Sequence, residues 1–380
     1  MIIYISRFSI HFLLVYTLIF SFFFRENVLA QNKTKKETYH WEVQLSLGTM
    51  YDSNILKYSD KYIERFLNSE DEGRFHINRY DDLVFPYSIK ISYRNNFIGN
   101  LVTVFSAGYN SNSYSYNGIK NWASYDASLR QYLSKFTSLL ISYSYIPSFY
   151  IRHFRDDDWV DRFGYTPVTF QPYEFSKENY SAWFQQYFFK RNTRIRLLFS
   201  YMKYFHNEHY TEYDCTNYLY GFQVYQSLSK SIRVDAGYKY ITSDAKGIDE
   251  VNDVNEDDIA TRGDATYKEH IYTIGGAFKF PKVFGIRNDL TVTGQYQRRF
   301  YETDHFLELD PLHAGRFDKN IRFYSRYNLY FYSYLSLTTF FNWIYRDTET
   351  SAELNREYVS NEKDYSQYQI GLRINYKINF

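Results

Sequence analysis

Basic side chains recur at even spacing along this 380-residue chain. Even spacing puts side chains on one face of a β-strand. Arg194 with Arg196, Arg233 with Lys239, Arg322 with Arg326, and Arg373 with Lys377 form such sets. Lys90, Arg94, Arg130, Lys279, Arg299 and Arg346 share the polar phase of their own segments. The carboxylates Glu42, Asp52, Asp126, Asp235 and Asp289 stand in the same phase. Roughly fourteen basic groups therefore confront about five acidic ones. Such a surface binds or steers anions, and rings of Arg and Lys in a pore favour them. The plainer alternative is that these cations pair with the acids and with Tyr and only fill space.

Catalytic chemistry has less support. His153, His206, His209, His270, His305 and His313 lie near strand ends or in loops. A general base needs an Asp or Ser partner within hydrogen-bond reach, and no local motif selects one. Gly-x-Ser-x-Gly, His-Glu-x-x-His, Cys-x-x-Cys and phosphate-loop patterns are all missing. Cys215 stands alone, so the sequence offers neither a disulfide framework nor a Cys-based metal site. Two loops are acidic: Arg155-Asp156-Asp157-Asp158-Trp159, and Asp249-Glu250 with Asp253 and Glu256-Asp257-Asp258. Clustered carboxylates are the ligands calcium takes, but the spacing is not that of an EF-hand. These read as solvated loops. The expectation is a non-enzyme with no cofactor and no metal.

Composition narrows the class. The net charge is +1, which gives no reason to expect a nucleic-acid partner. Mean hydropathy is −0.53, yet 22% of residues are aromatic, with 44 Tyr and 34 Phe. Those residues suit strands and membrane interfaces. The first thirty residues differ from the rest. Arg7 precedes an apolar run from Phe8 to Phe24, and Val28-Leu29-Ala30 puts small residues at −3 and −1 before Gln31. This is the pattern of a secretory signal peptide cleaved between Ala30 and Gln31, with an uncleaved anchor as the alternative. No Cys follows the run, so a lipoprotein signal is not expected. Beyond residue 30 no stretch of 18 apolar residues occurs.

The elements that must position the charges are strands. Ile370, Leu372, Ile374, Tyr376, Ile378 and Phe380 alternate with Gln369, Gly371, Arg373, Asn375, Lys377 and Asn379. One set suits lipid and the other water. Similar alternation places strands near 39–55, 83–94, 101–112, 122–133, 137–151, 176–189, 193–205, 215–228, 231–242, 267–280, 287–301, 319–331, 334–346 and 365–380. The segment 176–189 alternates least well. A tilted strand crosses a bilayer in about 9–11 residues. Connections alternate strictly, long then short, with long polar loops near 57–81, 152–172, 243–265 and 347–364 among others. Short turns at one end, long loops at the other and an even strand count describe a transmembrane barrel. Open edges in hydrocarbon would leave backbone groups unpaired, so the first strand must meet the last. The predicted architecture is all-β: a closed antiparallel transmembrane β-barrel of about fourteen strands. The expected division is 1–30 signal peptide, 31–38 short periplasmic leader and 39–380 barrel.

The terminal strand, with Leu372, Ile374, Tyr376, Ile378 and Phe380, resembles the assembly signal of bacterial outer-membrane proteins. The resemblance implies recognition by the barrel assembly machinery. The first strand, Gly48-Thr49-Met50-Tyr51-Asp52-Ser53-Asn54-Ile55, is similar to the barrel portions of surface lipoprotein assembly modifiers and of exopolysaccharide-export barrels. Those proteins usually carry a helical-repeat domain before the barrel, where this chain has about eight residues. Asp52-Ser53-Asn54 also reads simply as a strand end and turn.

Trp41, Tyr143, Tyr145, Trp183, Phe341, Trp343 and Tyr345 are expected on the wall, in the aromatic girdles. Tyr132, Tyr225, Tyr324 and Tyr330 face inward by phase and could form a track for sugars. Fourteen strands lie between the eight that side chains fill and the sixteen that leave an aqueous channel. A narrow pore, or one closed by a loop, follows. The sequence thus points to a porin-like channel for passive diffusion of small solutes in the bacterial outer membrane, with an anion preference. The alternative is a non-enzymatic surface or export barrel (polysaccharide or lipoprotein export, or an adhesin), and behind it a surface hydrolase. Expected partners are outer-membrane lipids, the assembly machinery and small solutes, with no nucleic acid.

Overall fold

The computed structural model describes residues 40–98, 100–156, 160, 163–247, 264–303, 307 and 310–380. The signal peptide, the cleavage site at Ala30 and Gln31, and the leader lie outside the described residues. So do His305 and the acidic run 249–258.

Fourteen strands are present: β1 (Trp41–Asp52), β2 (Asp82–Ile98), β3 (Leu101–Tyr114), β4 (Trp122–Tyr132), β5 (Thr137–Arg155), β6 (Phe170–Phe188), β7 (Thr193–His206), β8 (Cys215–Ser227), β9 (Ile232–Ala245), β10 (Tyr267–Val283), β11 (Ile286–Tyr301), β12 (Arg316–Tyr330), β13 (Leu335–Thr350) and β14 (Tyr365–Asn379). Each pairs antiparallel with its sequence neighbours, and β1 pairs with β14 to close the barrel. The seam runs from Glu42 opposite Asn379 to Asp52 opposite Gln369, and the Trp41 amide donates to the Phe380 carbonyl at 2.9 Å. At the seam Gln44 meets Lys377 and Ser46 meets Asn375 on one face, while Val43 meets Ile378 and Leu47 meets Ile374 on the other. A one-residue slip would exchange the two faces, so the apolar pattern fixes the register. Gly371 lies at this seam; a Cβ there would meet the Thr49 carbonyl at 2.5 Å and the Phe340 ring at 2.6 Å.

The outer face is apolar. Ile91, Phe105, Ile141, Leu197, Ile274 and Ile370 are each more than 40% exposed on it. Apolar surface on this scale needs hydrocarbon around it. Among the described residues no helix is long and apolar enough to cross a membrane. Leu372 sits mid-strand on the outer face and its neighbour Arg373 on the inner. Leu372→Arg is therefore expected to cost about 2–4 kcal/mol in reversible folding into lipid vesicles. Arg373→Leu should cost clearly less, and equal costs would mean the two faces are not distinguished.

The ends of the barrel differ as expected. At one end Phe284-Gly285 joins β10 to β11 as a two-residue turn with both φ values positive (50° and 78°), the geometry of a primed hairpin turn. At the other end β5 and β6 outrun their predicted limits, reaching Arg155 and starting at Phe170, with bulges between Ile146 and Phe149 and between Tyr150 and Arg152.

Among the described residues, two of the long connections hold α-helices where polar loops were expected. The β1–β2 loop contains α1 (Asp60–Leu67). Ser59 caps it by accepting from the Tyr62 amide, Asp60 and Arg65 suit its two ends, and the Asn68 amide closes on Glu64. The β13–β14 loop contains α2 (Arg356–Lys363), which buries Val359. Each helix has eight residues, too short for a helical period to stand out from the strand rhythm around it.

The β1–β2 loop folds into the barrel mouth. Ile55, Leu56, Tyr58 and Tyr62 bury themselves against Tyr150 of β5, with Ile63, Phe75, Ile77 and Tyr114 packed around them. The loop start is held by Asp52, which accepts from the Asn54 amide at 3.0 Å, so Asp52-Ser53-Asn54 does end the strand and begin a turn. The Asn54 carboxamide accepts from the Tyr58 amide at 2.8 Å and donates to the Tyr58 carbonyl at 2.8 Å.

Candidate functional site

The register decides which side chains face the lumen. Arg130 lies across from Leu140, Arg196 from Gln185, Arg194 from Tyr225, Arg233 from Ser227 and Lys239 from Gly221. Arg322 lies across from Ile344, Arg326 from Phe340, Arg373 from Thr338 and Lys377 from Gln44. Glu42, Asp126 and Asp235 occupy the same inner phase, opposite Ser92, Ser144 and Tyr225. The inner face also carries Lys177, Glu269, Arg316 and Asp318, in segments where the sequence reading named other residues.

The inner acids mostly take neutral partners. Asp126 accepts from Asn110 at 2.6 Å, Asp289 from Asn328 and the Tyr330 hydroxyl at 2.6 and 2.9 Å, and Asp52 from Gln367 and Gln369. Of the fourteen basic residues assigned inward from sequence, only Lys377 (to Glu42), Arg299 (to Glu269) and Arg346 (to Asp318) reach a carboxylate among the described residues. Of the other eleven, Arg130, Arg194, Arg196, Arg233 and Arg373 lie over aromatic rings instead.

Near the short-turn end, arginines stack on rings. Arg130 and Arg196 both lie over Trp183, at 4.8 and 4.4 Å, and Arg194 lies over Tyr225 at 3.7 Å. Trp183 was expected on the wall; it points into the lumen, opposite Leu140 and Leu198. An indole in the inner phase is also why β6 alternated poorly. The cation–π attraction stabilises each guanidinium without neutralising it. Nε of Arg130, Arg194 and Arg196 is buried with no hydrogen-bond partner. The other predicted wall aromatics, Trp41, Tyr143, Tyr145, Phe341, Trp343 and Tyr345, keep the outer phase.

Towards the long-loop end lies a chamber of about 370 Å³. Its cations are Arg152, Arg299, Arg316, Arg346 and Lys363, and its aromatic lining includes Tyr173, Tyr204, Tyr213, Tyr267 and Tyr301. Cys215 also borders it. Arg316 makes a two-pronged bond to Asp318, at 2.7 and 2.9 Å, and the pair is almost wholly buried. Arg299 reaches Glu269 at 3.3 Å and lies over Tyr267 at 3.8 Å. Arg152 donates to the Leu56 carbonyl at 3.0 Å and lies over Tyr58, which joins the chamber to the inserted loop. Lys363, the last residue of α2, is brought down to about 7 by burial and by the charges of Arg316, Arg152 and Arg346. Across the mouth, burial and the nearby Lys57 and Arg152 bring Lys120 down to about 7 as well. Its ammonium donates to the Tyr150 carbonyl at 2.5 Å.

Histidine–carboxylate pairs do form in the loop region. His209 meets Asp156 at 2.7 Å, His313 meets Asp310 at 2.9 Å and His206 meets Asp214 at 3.3 Å. The second nitrogen of His206 faces the Tyr173 hydroxyl at 3.3 Å. His153 stacks on His76 at 3.6 Å, and His270 bonds to Tyr238 on the outer wall. Asp156 is thereby occupied by a histidine. No group of three His, Cys, Asp or Glu able to hold a metal occurs among the described residues.

No protein-family model matches the chain, and no curated protein matches it. Solved structures do. The chain is similar to OmpT, an outer membrane protein of Vibrio cholerae, at 8% identity over 91% of this chain and 99% of that one, with a TM-score of 0.43. It is similar to the outer membrane channel DcaP of Acinetobacter baumannii at 12% identity over 89% and 96%, TM-score 0.45. It is similar to a mutant of the TodX monoaromatic hydrocarbon channel at 8% identity over 90% and 91%, TM-score 0.47. These are likenesses of barrel outline, with no residue-level correspondence.

Proposed function

We propose that this chain is a bacterial outer-membrane channel for passive diffusion of small solutes, with a preference for anions. In this reading residues 1–30 direct export, and the strand ending at Phe380 is read by the barrel assembly machinery. The observation that carries it is the inner face itself: eleven of its fourteen predicted cations have no carboxylate within ion-pair distance among the described residues, while the inner acids Asp52, Asp126 and Asp289 are bonded to Asn, Gln and Tyr. A positive wall of this kind concentrates anions and repels cations.

The test is single-channel current of the refolded barrel in a planar bilayer under a salt gradient. Discrete steps with an anion-leaning reversal potential are expected. Replacing Arg322 and Arg326 with Glu should move the reversal potential towards cation selectivity. An unchanged potential would remove those two residues from the selectivity filter. A folded barrel that passes no current would favour the second reading, a surface or export barrel closed by its own loop, which the buried Tyr58 cluster supports. A rim hydrolase is the weaker alternative, since the group facing the second nitrogen of His206 is a phenol and not a serine.

A further inference from the structure

We infer that the outer chamber is a saturable binding site for a compact dianion, a small dicarboxylate or a phosphate monoester, held between Lys363, Arg152, Arg299 and Arg346. The inference rests on reading the barrel as a solute channel and names the class of solute it would select.

Three observations carry it. The first is charge: five cations line the chamber, and the carboxylates within ion-pair distance of them are Glu269 and Asp318. Among the described residues Lys363 and Arg152 have no carboxylate within that distance, and the Glu362 carboxylate is turned to Lys61 and Tyr62 of α1. The second is orientation. Arg299, Arg316 and Arg346 lie over Tyr267, Tyr301 and Tyr365 at 3.8, 4.4 and 5.2 Å. Stacking fixes the plane of a guanidinium, so that an N–H edge not already taken can meet a carboxylate or phosphate; the edge of Arg316 is taken by Asp318, and Nε of Arg346 by Asn320. Nε of Arg299 is buried with no partner. The third is size: about 370 Å³ falls within the usual range for small-molecule pockets.

Lys363 supplies a readout of its own. Facing it are Arg152 from β5, Arg316 from β12, Arg346 from β13, His313 from the β11–β12 loop and Glu362 beside it in α2. His313 is held below its ordinary range, first by burial, so it is neutral near pH 7. With the ammonium near 7, the empty chamber at pH 8 holds Lys363 mostly neutral. A bound dianion favours the charged form, so binding near pH 8 takes up a proton, and for succinate, which stays largely a dianion over this range, it tightens as pH falls from 8.5 to 6.5.

The experiment is titration calorimetry on the full refolded barrel in detergent, with succinate and inorganic phosphate as probes and chloride as control. Runs in two buffers of different ionisation enthalpy read the proton uptake. Saturable binding of either probe with proton uptake is expected, and which probe binds more tightly tells carboxylate from phosphate. Lys363→Met should weaken binding about tenfold or more, the worth of one charge-assisted hydrogen bond. Lys363→Arg should keep binding and lose the proton uptake, which separates a charge role from a merely structural one. Heat-modifiable gel migration confirms that each variant is folded. Absence of saturable binding by the wild type, or binding unchanged in Lys363→Met, overturns the proposal. A barrel that conducts without binding overturns this inference alone; one that binds without conducting overturns the channel reading alone.

Discussion

Replacing residues 57–80 of the β1–β2 loop with a short Gly-Ser turn is expected to give a barrel whose unitary current is several-fold larger than that of the intact chain. The loop does not lie over the mouth as a solvated flap. It buries Ile55, Leu56, Tyr58 and Tyr62 against Tyr150, and Tyr58 is only 2% exposed. Its backbone carbonyls at Leu56 and Lys57 receive Arg152, and its His76 stacks on His153 of β5. These contacts put side chains where fourteen strands would otherwise leave open water. Planar-bilayer recording reads the change directly, and heat-modifiability checks that the shortened protein still closes. A unitary current equal to that of the intact chain would mean the ion path does not pass the loop.

A single substitution tests the same point without shortening the chain. Truncating a buried aromatic costs about 3–5 kcal/mol. Tyr58→Ala should therefore weaken loop docking, and each ~1.4 kcal/mol lost shifts the docked population tenfold. The expected record is flicker between a low and a high current level. Asn54→Ala acts on the same hinge, since the Asn54 side chain satisfies both the amide and the carbonyl of Tyr58. The two loops are coupled. Lys61 pairs with Glu362 at 3.1 Å, Tyr62 bonds to the same carboxylate, and Ser59 donates to the Asn361 carbonyl at 2.6 Å. Undocking α1 should therefore also loosen α2, and with it the placing of Lys363.

The strands were legible because their signal is local and repeated. Ile374 outside and Arg373 inside follow from a period of two, whatever the rest of the chain does. The seam followed too, because closure is the only arrangement that satisfies the edge backbone groups of β1 and β14. The two helices were not legible. Eight residues give barely two turns, and Ser59-Asp60-Lys61-Tyr62 lacks the Glu or Gln at the third helical position that marks a capping box. Trp183 was misplaced for a different reason. Aromaticity suggests the girdle, but phase decides the face, and the phase of β6 was blurred by Tyr180 and Phe184 outside against Trp183 inside. The lumen arginines were placed by parity alone. What parity leaves open is partnership: that Asp289 bonds to Asn328 while Asp318 bonds to Arg316 depends on rotamers and neighbours, not spacing. Arg152 was missed because the sequence reading ended its strand at 151 and began a loop at 152, whereas β5 runs on through two bulges to Arg155.

Asp318 is where this electrostatic arrangement is most exposed to a single change. Its carboxylate is 0% exposed, takes both prongs of Arg316 and stands 3.7 Å from Arg346, and Arg299 is its cross-strand neighbour. Asp318→Ala leaves three arginines with Glu269 as their remaining paired carboxylate. Removing one partner of a buried pair costs about 3–5 kcal/mol, because the surviving charge has lost both water and partner. The surface pair of Lys319 and Glu349, near the same end of β12, offers the contrast: Glu349→Ala should cost about 0–1 kcal/mol. Urea-dependent folding into vesicles at low salt measures both. The Asp318 variant carries a second, sharper expectation. A ligand that binds only the folded state stabilises it by RT ln(1 + [L]/Kd). A chamber relieved of its carboxylate should take phosphate more tightly, so phosphate should restore more stability to Asp318→Ala than to the wild type, beyond what chloride at equal ionic strength gives. If chloride restores as much, the arginines are only screened, and the chamber has no geometry for an oxyanion. If the variant is as stable as the wild type without any anion, the lumen already holds enough water to solvate Arg316, and the buried pair serves position more than stability.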